Sequence, residues 1–254
     1  GRFQTSTENR MKSKIAAAVT SLAVCAASPV MAQHWGYEGE VGPSSWSKLD
    51  PKFVMCGLGK NQSPIDITGF VEADLKPLKF AYAAGVSDIV NNGHTVQVNY
   101  APGSSVTVDG REFELKQFHF HSPSENKIDG KQYPLEAHLV HADKDGNLAV
   151  VAVMFQEGAP SAALTKLWEK MPAKSGDKNP LPAGMSVTQL LPAQRDYYRY
   201  DGSLTTPPCS EGVRWLVLKK VATASKAQID LFAKTVGHAN NRPLNPVNAR
   251  TVLK

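Results

Sequence analysis

The sequence predicts a single domain of the mainly β (α+β) class. Its 254 residues suffice for one large domain, and no linker-like stretch divides them. Hydrophobic residues make up 42% and charged residues 20%, which fits a folded globular chain and excludes a disordered one or a membrane bundle. Alternating apolar and polar segments dominate from about residue 78 onwards. No repeat of roughly 20–50 residues occurs, so a solenoid or propeller is excluded.

The strands follow from period-two patterns and turn signals, after an irregular segment over 33–75. The predicted strands are 95–100, 106–108, 111–121, 135–142, 148–155 and 213–221. Asp109-Gly110 is a strong hairpin signal between the second and the third of these. The segment 148–155 is apolar on both faces, which predicts a central strand covered on both sides.

Two helices are predicted at the periphery. Apolar residues recur at i, i+3, i+4 and i+7 over 164–171, after Pro160. A capping box over 225–228 precedes an apolar face over 229–236, and Gly237 supplies the stop.

The N-terminal segment has the pattern of a secretory signal peptide. Met11 precedes a basic region, a short apolar stretch over 15–27 and small residues up to Ala32. We therefore expect an upstream segment over 1–10, a signal peptide over 11–32 cleaved near Ala32-Gln33, and one domain over 33–254. The mature protein would be periplasmic or secreted, without a membrane span.

Removal of that peptide changes the charge and the cysteine count. The formal charge falls from +5 to +2, and no basic run with interleaved aromatic residues remains, which argues against nucleic-acid binding. Cys25 leaves, while Cys56 and Cys209 remain in a compartment where thiols oxidise. Two cysteines allow one internal disulfide, which we expect; two free thiols, or pairing between chains, stay open at this point.

Histidines are placed on one face of a predicted strand. In Gln117–His121, residues two apart point to the same side, so Gln117, His119 and His121 share a face and the two Phe residues take the other. The phenyl rings can anchor the strand in a core, and the imidazoles would then face a cavity. Two adjacent imidazoles on a rigid face can hold a divalent metal, although His-x-His also occurs in strands that bind none.

A second segment, 135–141, behaves similarly. Glu136, His138 and Val140 share one face, and His141 points away from it. If the two strands are neighbours, three imidazoles converge, and three protein nitrogens with one open position are typical of a catalytic zinc site. Gln117 and Glu136 could each hold the other ring nitrogen of a ligand. Spacing alone does not decide between this site and ordinary strand histidines.

Several blocks together resemble the signature of one enzyme family, in the same order along the chain. They are Asn61–Ile67, Asn91–His94, Gln117–His121, Glu136–His141 and Ser203–Pro208, with Trp35–Tyr37 and Asn241–Pro243 near the ends. These blocks resemble the α-class carbonic anhydrases, and their exported bacterial branch in particular. The resemblance implies a large, mostly antiparallel twisted central sheet with peripheral short helices and a conical active-site cavity, and a Cys56–Cys209 disulfide.

The resemblance also implies a cofactor, a reaction and residue roles. Zn²⁺ would be bound by His119, His121 and His138, and zinc-bound hydroxide would attack CO2 to give bicarbonate and a proton. Thr205 and Glu125 would orient that hydroxide. Ser122-Pro123-Ser124 replaces a sequence that is common in animal members, which makes Glu125 the less direct assignment.

The remaining roles concern the substrate and the proton. The expected apolar wall for CO2 and the bicarbonate contact are Val140, Val150, Leu204, Val213 and Trp215, with Thr206. His94 would relay the proton, because an unperturbed imidazole titrates near neutral pH. The waters on that path would be ordered by Tyr37, Asn92 and Gln97.

The sequence also leads to expectations about ligands and about functions other than CO2 hydration. CO2 and bicarbonate would be the substrates, sulfonamides and small anions would inhibit, and a homodimer stays open. A non-catalytic relative usually lacks a zinc histidine, and all three are present here. A dedicated esterase would need an acyl pocket that nothing marks, and a zinc carrier would favour a flexible His-rich loop.

Overall fold

A twisted sheet of eleven strands organises the computed structural model, which describes residues 34–83 and 85–254. The expected upstream segment and signal peptide lie outside these residues. The strands are β1 Asp66–Ile67, β2 Lys79–Ala81, β3 Val86–Asn91, β4 Val96–Tyr100, β5 Ser105–Val108, β6 Arg111–His121, β7 Lys127–Ile128, β8 Leu135–Ala142, β9 Leu148–Glu157, β10 Lys178–Pro180, β11 Tyr197–Ser203, β12 Glu211–Leu218 and β13 Ala222–Ala224. The helices are α1 Trp46–Leu49, α2 Met55–Leu58, α3 Ala162–Trp168 and α4 Lys226–Val236, with 3₁₀ turns at Gly39–Val41, Pro51–Phe53 and Val187–Leu190.

The main path of the sheet is β10-β3-β4-β6-β8-β9-β12-β11, and β13, β5 and β2 extend it. Its pairs are antiparallel except β9 with β12 and β9 with β13, which are parallel. The mainly β, mostly antiparallel fold is therefore confirmed. β1 and β7 form a separate parallel pair. Within the described residues, no helix has the length and apolar character of a membrane span.

The central position of β9 is confirmed by its burial. Val151, Val153 and Phe155 lie in the hydrophobic cluster on one face, whereas Val150 and Met154 lie in the cluster on the other. A strand that is buried on both faces has a nearly continuous apolar sequence. The hairpin before β6 is also confirmed, because Asp109 and Gly110 both have positive φ, at 50° and 78°.

Some element boundaries differ from the prediction. The segment 33–75 is not wholly irregular: it contains one-turn helices, which are too short to show a periodic pattern. The strand expected over 213–221 ends at Leu218. The chain bends at the next two residues, and β13 then pairs with β9. α3 ends at Trp168, so Met171 packs against the core from beyond the helix.

Candidate metal centre

The pairing of β6 with β8 brings the three histidines together. His119 lies directly opposite His138, and His121 lies opposite Glu136. Phe118 and Phe120 are fully buried on the other face of β6, as the pleat predicts. One ring nitrogen from each of His119, His121 and His138 lies within 4.8 Å of the other two. The two strands are thus neighbours, as the converging site required.

Each imidazole has its other nitrogen beside an acceptor. Nδ1 of His119 lies 2.8 Å from Oε1 of Gln117, and Nδ1 of His121 lies 2.7 Å from the backbone oxygen of Asn240. Because these oxygens only accept, the ring proton sits on Nδ1 and the lone pair on Nε2. The free atoms that face one another are therefore Nε2 of His119 and of His121.

His138 is oriented the other way. Its Nε2 lies 2.9 Å from Oε1 of Glu136, although without the alignment of a hydrogen bond. Its Nδ1 therefore faces the other two rings. Nε2 of His121 is buried and has no hydrogen-bond partner among the described residues. A buried nitrogen lone pair without a donor is costly, and a metal ion would satisfy it. Three neutral imidazoles form a donor set that fits Zn²⁺.

The surroundings keep these rings neutral. Burial is the main cause that lowers the pKa of His119 and of His138 well below the ordinary value, and their histidine neighbours lower it further. Burial also lowers the pKa of His121, which the bond to Asn240 opposes. A metal ligand must be unprotonated, so the site is prepared for a cation at neutral pH.

Glu136 is fixed from several sides. Its Oε2 accepts from the backbone N–H groups of Glu125 and Asn126, and its Oε1 accepts from the Asn126 side chain at 2.8 Å. Burial raises the pKa of Glu136, and these hydrogen bonds oppose the shift. The carboxylate beside His138 is therefore held by the segment that follows β6.

Glu125 is a second buried carboxyl group at the centre. Its Oε1 accepts from the backbone N–H of Arg242 at 2.9 Å, and its Oε2 lies 3.5 Å from Nε2 of His121. Burial raises the pKa of Glu125 well above its usual range, whereas the Arg242 N–H and the Thr205 hydroxyl lower it. Among the described residues, Oε2 of Glu125 is buried and has no hydrogen-bond partner.

An apolar row crosses the sheet beside the histidines. Val140 of β8 pairs with Val150 of β9, which pairs with Trp215 of β12. The Trp215 ring lies 4.8 Å from the His138 ring, centroid to centroid. Val213 is buried in the same cluster, and Leu204 packs against it. Thr206 is half-buried in the turn after Thr205, where its backbone oxygen accepts from Cys209.

His94 lies in the turn between β3 and β4. Its ring stacks on Trp35 at 3.7 Å between centroids, and Tyr37 lies edge-on at 6.5 Å. The side-chain oxygen of Asn92 accepts from the backbone N–H of His94, and Gln97 lies opposite His119 in the sheet. Burial is the main cause that lowers the pKa of His94, with contributions from His34 and His238.

The two cysteines form the expected internal disulfide. Cys56 in α2 is bonded to Cys209, which follows the Thr205 turn, and their Cα atoms are 5.0 Å apart. The amide of Gln62 donates to the Cys209 backbone oxygen, and Arg242 donates to that of Cys56. The bridge therefore joins the N-terminal helical segment to the turn that carries Thr205.

Sequence reasoning did not predict the roles of three residues around the site. The Asn240 backbone oxygen accepts from the His121 ring, the Asn126 side chain donates to Glu136, and the Arg242 backbone N–H donates to Glu125. Asn240 is 119 residues from His121, and neither spacing nor periodicity connects the two. Asn241–Pro243 was a resemblance block, and that was the available signal for Arg242.

Comparisons with known proteins agree with this architecture. The family model described as eukaryotic-type carbonic anhydrase matches residues 41–254. The carbonic anhydrase of Pectobacterium carotovorum is 49% identical over 244 residues, 96% of this chain and 100% of that protein. A solved α-carbonic anhydrase of Thermovibrio ammonificans, in complex with the inhibitor sulfanilamide, has a TM-score of 0.86 and 51% identity, covering 87% of this chain and 99% of that chain. The α-carbonic anhydrase of Photobacterium profundum has a TM-score of 0.82 and 51% identity, covering 87% and 100%.

Proposed function

The chain belongs to the α-class (eukaryotic-type) carbonic anhydrase family, and on that premise we propose that it is a zinc enzyme that reversibly hydrates CO2 to bicarbonate and a proton. The observation that carries the proposal is the convergence of three free imidazole nitrogens on β6 and β8. Three nitrogen ligands leave one of four tetrahedral positions open, which distinguishes a catalytic zinc site from a structural one.

Zn²⁺ would be held by Nε2 of His119, Nε2 of His121 and Nδ1 of His138. When bound in carbonic anhydrases, such a metal makes water nucleophilic near neutral pH. Gln117 and Asn240 would support it indirectly, because each accepts the proton of one ligand ring and so sets its orientation, and Glu136 lies 2.9 Å from the other nitrogen of His138.

Thr205 and Glu125 would orient the reacting solvent. An ionised carboxylate can only accept, so Thr205 would donate its proton to Glu125 and offer its oxygen to a solvent hydrogen. This role requires an ionised Glu125. Arg242 favours that form through its backbone N–H and its guanidinium charge, and burial opposes it.

The apolar row would receive the substrate. CO2 is small and apolar, so it needs a dry wall beside the reacting solvent and not a charged group. Val140, Val150 and Trp215 form that wall, with Leu204 and Val213 beside them. We assign Thr206 to bicarbonate because it follows Thr205 at the same turn.

His94 would carry the product proton to the solvent. A histidine whose pKa lies below its ordinary value is neutral at pH 7 and can accept a proton. Water molecules between it and the metal would be ordered by Tyr37, Asn92 and Gln97. In this role, His94→Ala keeps the metal, slows turnover in weak buffer and is rescued by added imidazole.

We further propose an exported protein whose domain spans 33–254 after cleavage near Ala32-Gln33. The Cys56–Cys209 bridge fits an oxidising compartment such as the periplasm. Sulfonamides and small anions would bind at the open metal position, and the sulfanilamide complex of the Thermovibrio relative supports the sulfonamide part.

Stopped-flow CO2 hydration tests the proposal. The zinc-loaded enzyme should be active, removal of the metal with a chelator should abolish activity, and restored Zn²⁺ should recover it. His119→Ala should lose both zinc and activity, because it removes one of three ligands. Activity that survives complete removal of the metal, or that zinc does not restore to folded protein, would contradict the proposal.

A further inference from the structure

The segment after α4 connects the His94 turn to the strand of the metal ligands. Nε2 of His238 lies 3.1 Å from the backbone oxygen of Gly93, and its Nδ1 lies 3.1 Å from the backbone oxygen of Ala239. The neutral ring donates to Gly93 in its Nε2–H tautomer. The side-chain amide of Asn240 donates to the backbone oxygens of His94, at 3.0 Å, and Phe120, at 2.9 Å. Two residues thus hold the backbone of two consecutive turn positions from one side.

Asn240 is fully buried, and each of its side-chain polar atoms is hydrogen-bonded. Both amide hydrogens are donated, its Oδ1 accepts from the Ser122 N–H at 2.8 Å, and its backbone oxygen accepts from the His121 ring. One residue therefore fixes the His94 backbone, the end of β6 and one metal-facing imidazole relative to each other.

The His94 ring depends on this backbone support. Its nitrogens make no hydrogen bond with any residue in the described part of the chain, and its ring contacts are stacking on Trp35 and looser approaches to His34 and Tyr37. Gly93 adopts φ +83°, which glycine takes without strain, and the side-chain oxygens of Asn91 and Asn92 hold the turn locally by accepting from the N–H groups of Gly93 and His94. Movement of the turn would therefore move the ring.

We propose that His238 and Asn240 are positioning residues that set the location of His94 for proton transfer. This rests on the proposed role of His94. His238 acts as an N–H donor to the Gly93 oxygen, and Asn240 as the link to β6. Proton transfer through ordered water is sensitive to distance, so a displaced turn slows the proton step and leaves the hydration step intact.

The test uses the full zinc-loaded enzyme with two substitutions at half-buried His238. His238→Ala removes the donor, and His238→Gln keeps an amide N–H that can reach Gly93. We expect His238→Ala to lower kcat in weak buffer about fivefold while kcat/KM changes less than about twofold, because only the proton step depends on the turn. His238→Gln should retain most of kcat. Thr235→Ala, in the same cleft but without a bond to the turn, is the matched control.

The outcomes separate the alternatives. An unchanged kcat for His238→Ala overturns the proposal. A loss in His238→Gln that equals the loss in His238→Ala, rescued by free imidazole, would also overturn it, because His238 would then carry the proton itself. Asn240→Ala should show the same kcat defect with full zinc content. If wild type hydrates CO2 but His94→Ala shows no buffer dependence, the proposed relay fails, independently of the His238 result.

Discussion

At the residue scale, each of the three converging rings has a different acceptor beside its outward nitrogen: a side-chain amide for His119, a backbone carbonyl for His121 and a carboxylate for His138. The carbonyl of Asn240 survives any substitution there, and Glu136 also holds the backbone of Glu125 and Asn126. Within the described residues, the Gln117 side chain hydrogen-bonds only to His119. It is therefore the support that can be removed with least disturbance.

Gln117→Ala should weaken zinc binding about 10–100-fold, because the His119 ring loses the group that fixes its proton and orientation. Competition with a chromophoric chelator measures this affinity. Asn99→Ala is the matched control: Asn99 lies opposite Gln117 on β4 and bonds to Gln97 and Asp88, and not to a metal-facing ring. Equal zinc affinity in Gln117→Ala and wild type would contradict the assigned role.

His141 lies on the opposite face of β8 from His138, as the pleat predicts. Its Nε2 accepts from the Tyr82 hydroxyl at 2.5 Å, and burial lowers the pKa of His141 to about 4. The unfolded chain, with an ordinary pKa near 6.5, binds the proton first as pH falls. Stability from the neutral ring is therefore fully present above about pH 6.5 and is lost as pH falls towards about 4.

Between pH 7 and pH 5 this group should cost the folded state about 2 kcal/mol. Urea unfolding at the two pH values measures the loss. His141→Gln lacks the titration, so its free energy of unfolding should fall less over the same interval, whatever its value at pH 7. An identical pH dependence in variant and wild type would remove His141 as the cause.

At the element scale, one glutamine joins the starts of two helices. Gln228 completes the capping box of α4 through the Ser225 N–H, and its amide also bonds the backbone N–H and oxygen of Ser161, the N-cap of α3. The sequence predicted the α4 box from local spacing. It could not show that the same amide also binds the backbone of Ser161, the N-cap residue of α3, because Ser161 is 67 residues away.

Gln228→Ala should lower the free energy of unfolding by about 2 kcal/mol and Ser225→Ala by about 1 kcal/mol, because the first substitution removes the hydrogen bonds to the backbone of both N-cap residues and the second removes only the hydroxyl that caps α4. Chemical denaturation at neutral pH measures both, and CO2 hydration by the folded proteins should stay unchanged. A smaller loss for Gln228→Ala than for Ser225→Ala would contradict the shared cap.

Strands with a clear period were predictable, and strands defined by their neighbours were not. β6, β8 and β9 follow from alternating or continuous apolar patterns. β11 reads YYRYDGS, where polar residues and Gly202 obscure the pattern, and it is a strand because β12 pairs with its whole length. β13 has three residues and exists through its parallel pairing with β9. Local sequence carries no signal for such long-range pairing.

At the scale of the whole molecule, the strand pleat and the family resemblance together predicted the histidine site. They did not predict the residues, distant in sequence, that hydrogen-bond to it. The shared face of His119 and His121 follows from strand geometry alone. Their meeting with His138 depends on the pairing of β6 with β8, which could be stated from the sequence only as a condition. The contributions of Asn240 and Arg242 depend on a non-repetitive segment that folds back across the sheet.

The Cys56–Cys209 bridge closes a loop with a sequence separation of 153 residues. On a chain-entropy argument such a bridge stabilises the fold by roughly 5 kcal/mol, as an upper value. Replacement of both cysteines by serine should lower the free energy of unfolding by about 3–5 kcal/mol, with little change in kcat/KM of molecules that still fold. Stability equal to wild type in denaturant would contradict this; a selective loss of kcat/KM would instead assign the bridge to the Thr205 turn.

The location of bound zinc tests the central claim most directly. A crystal of the zinc-loaded protein, measured on both sides of the zinc absorption edge, should show one strong anomalous peak about 2.0–2.1 Å from Nε2 of His119, Nε2 of His121 and Nδ1 of His138. The fourth position should hold solvent. A peak elsewhere, or a fourth protein ligand that closes this position, would contradict the account.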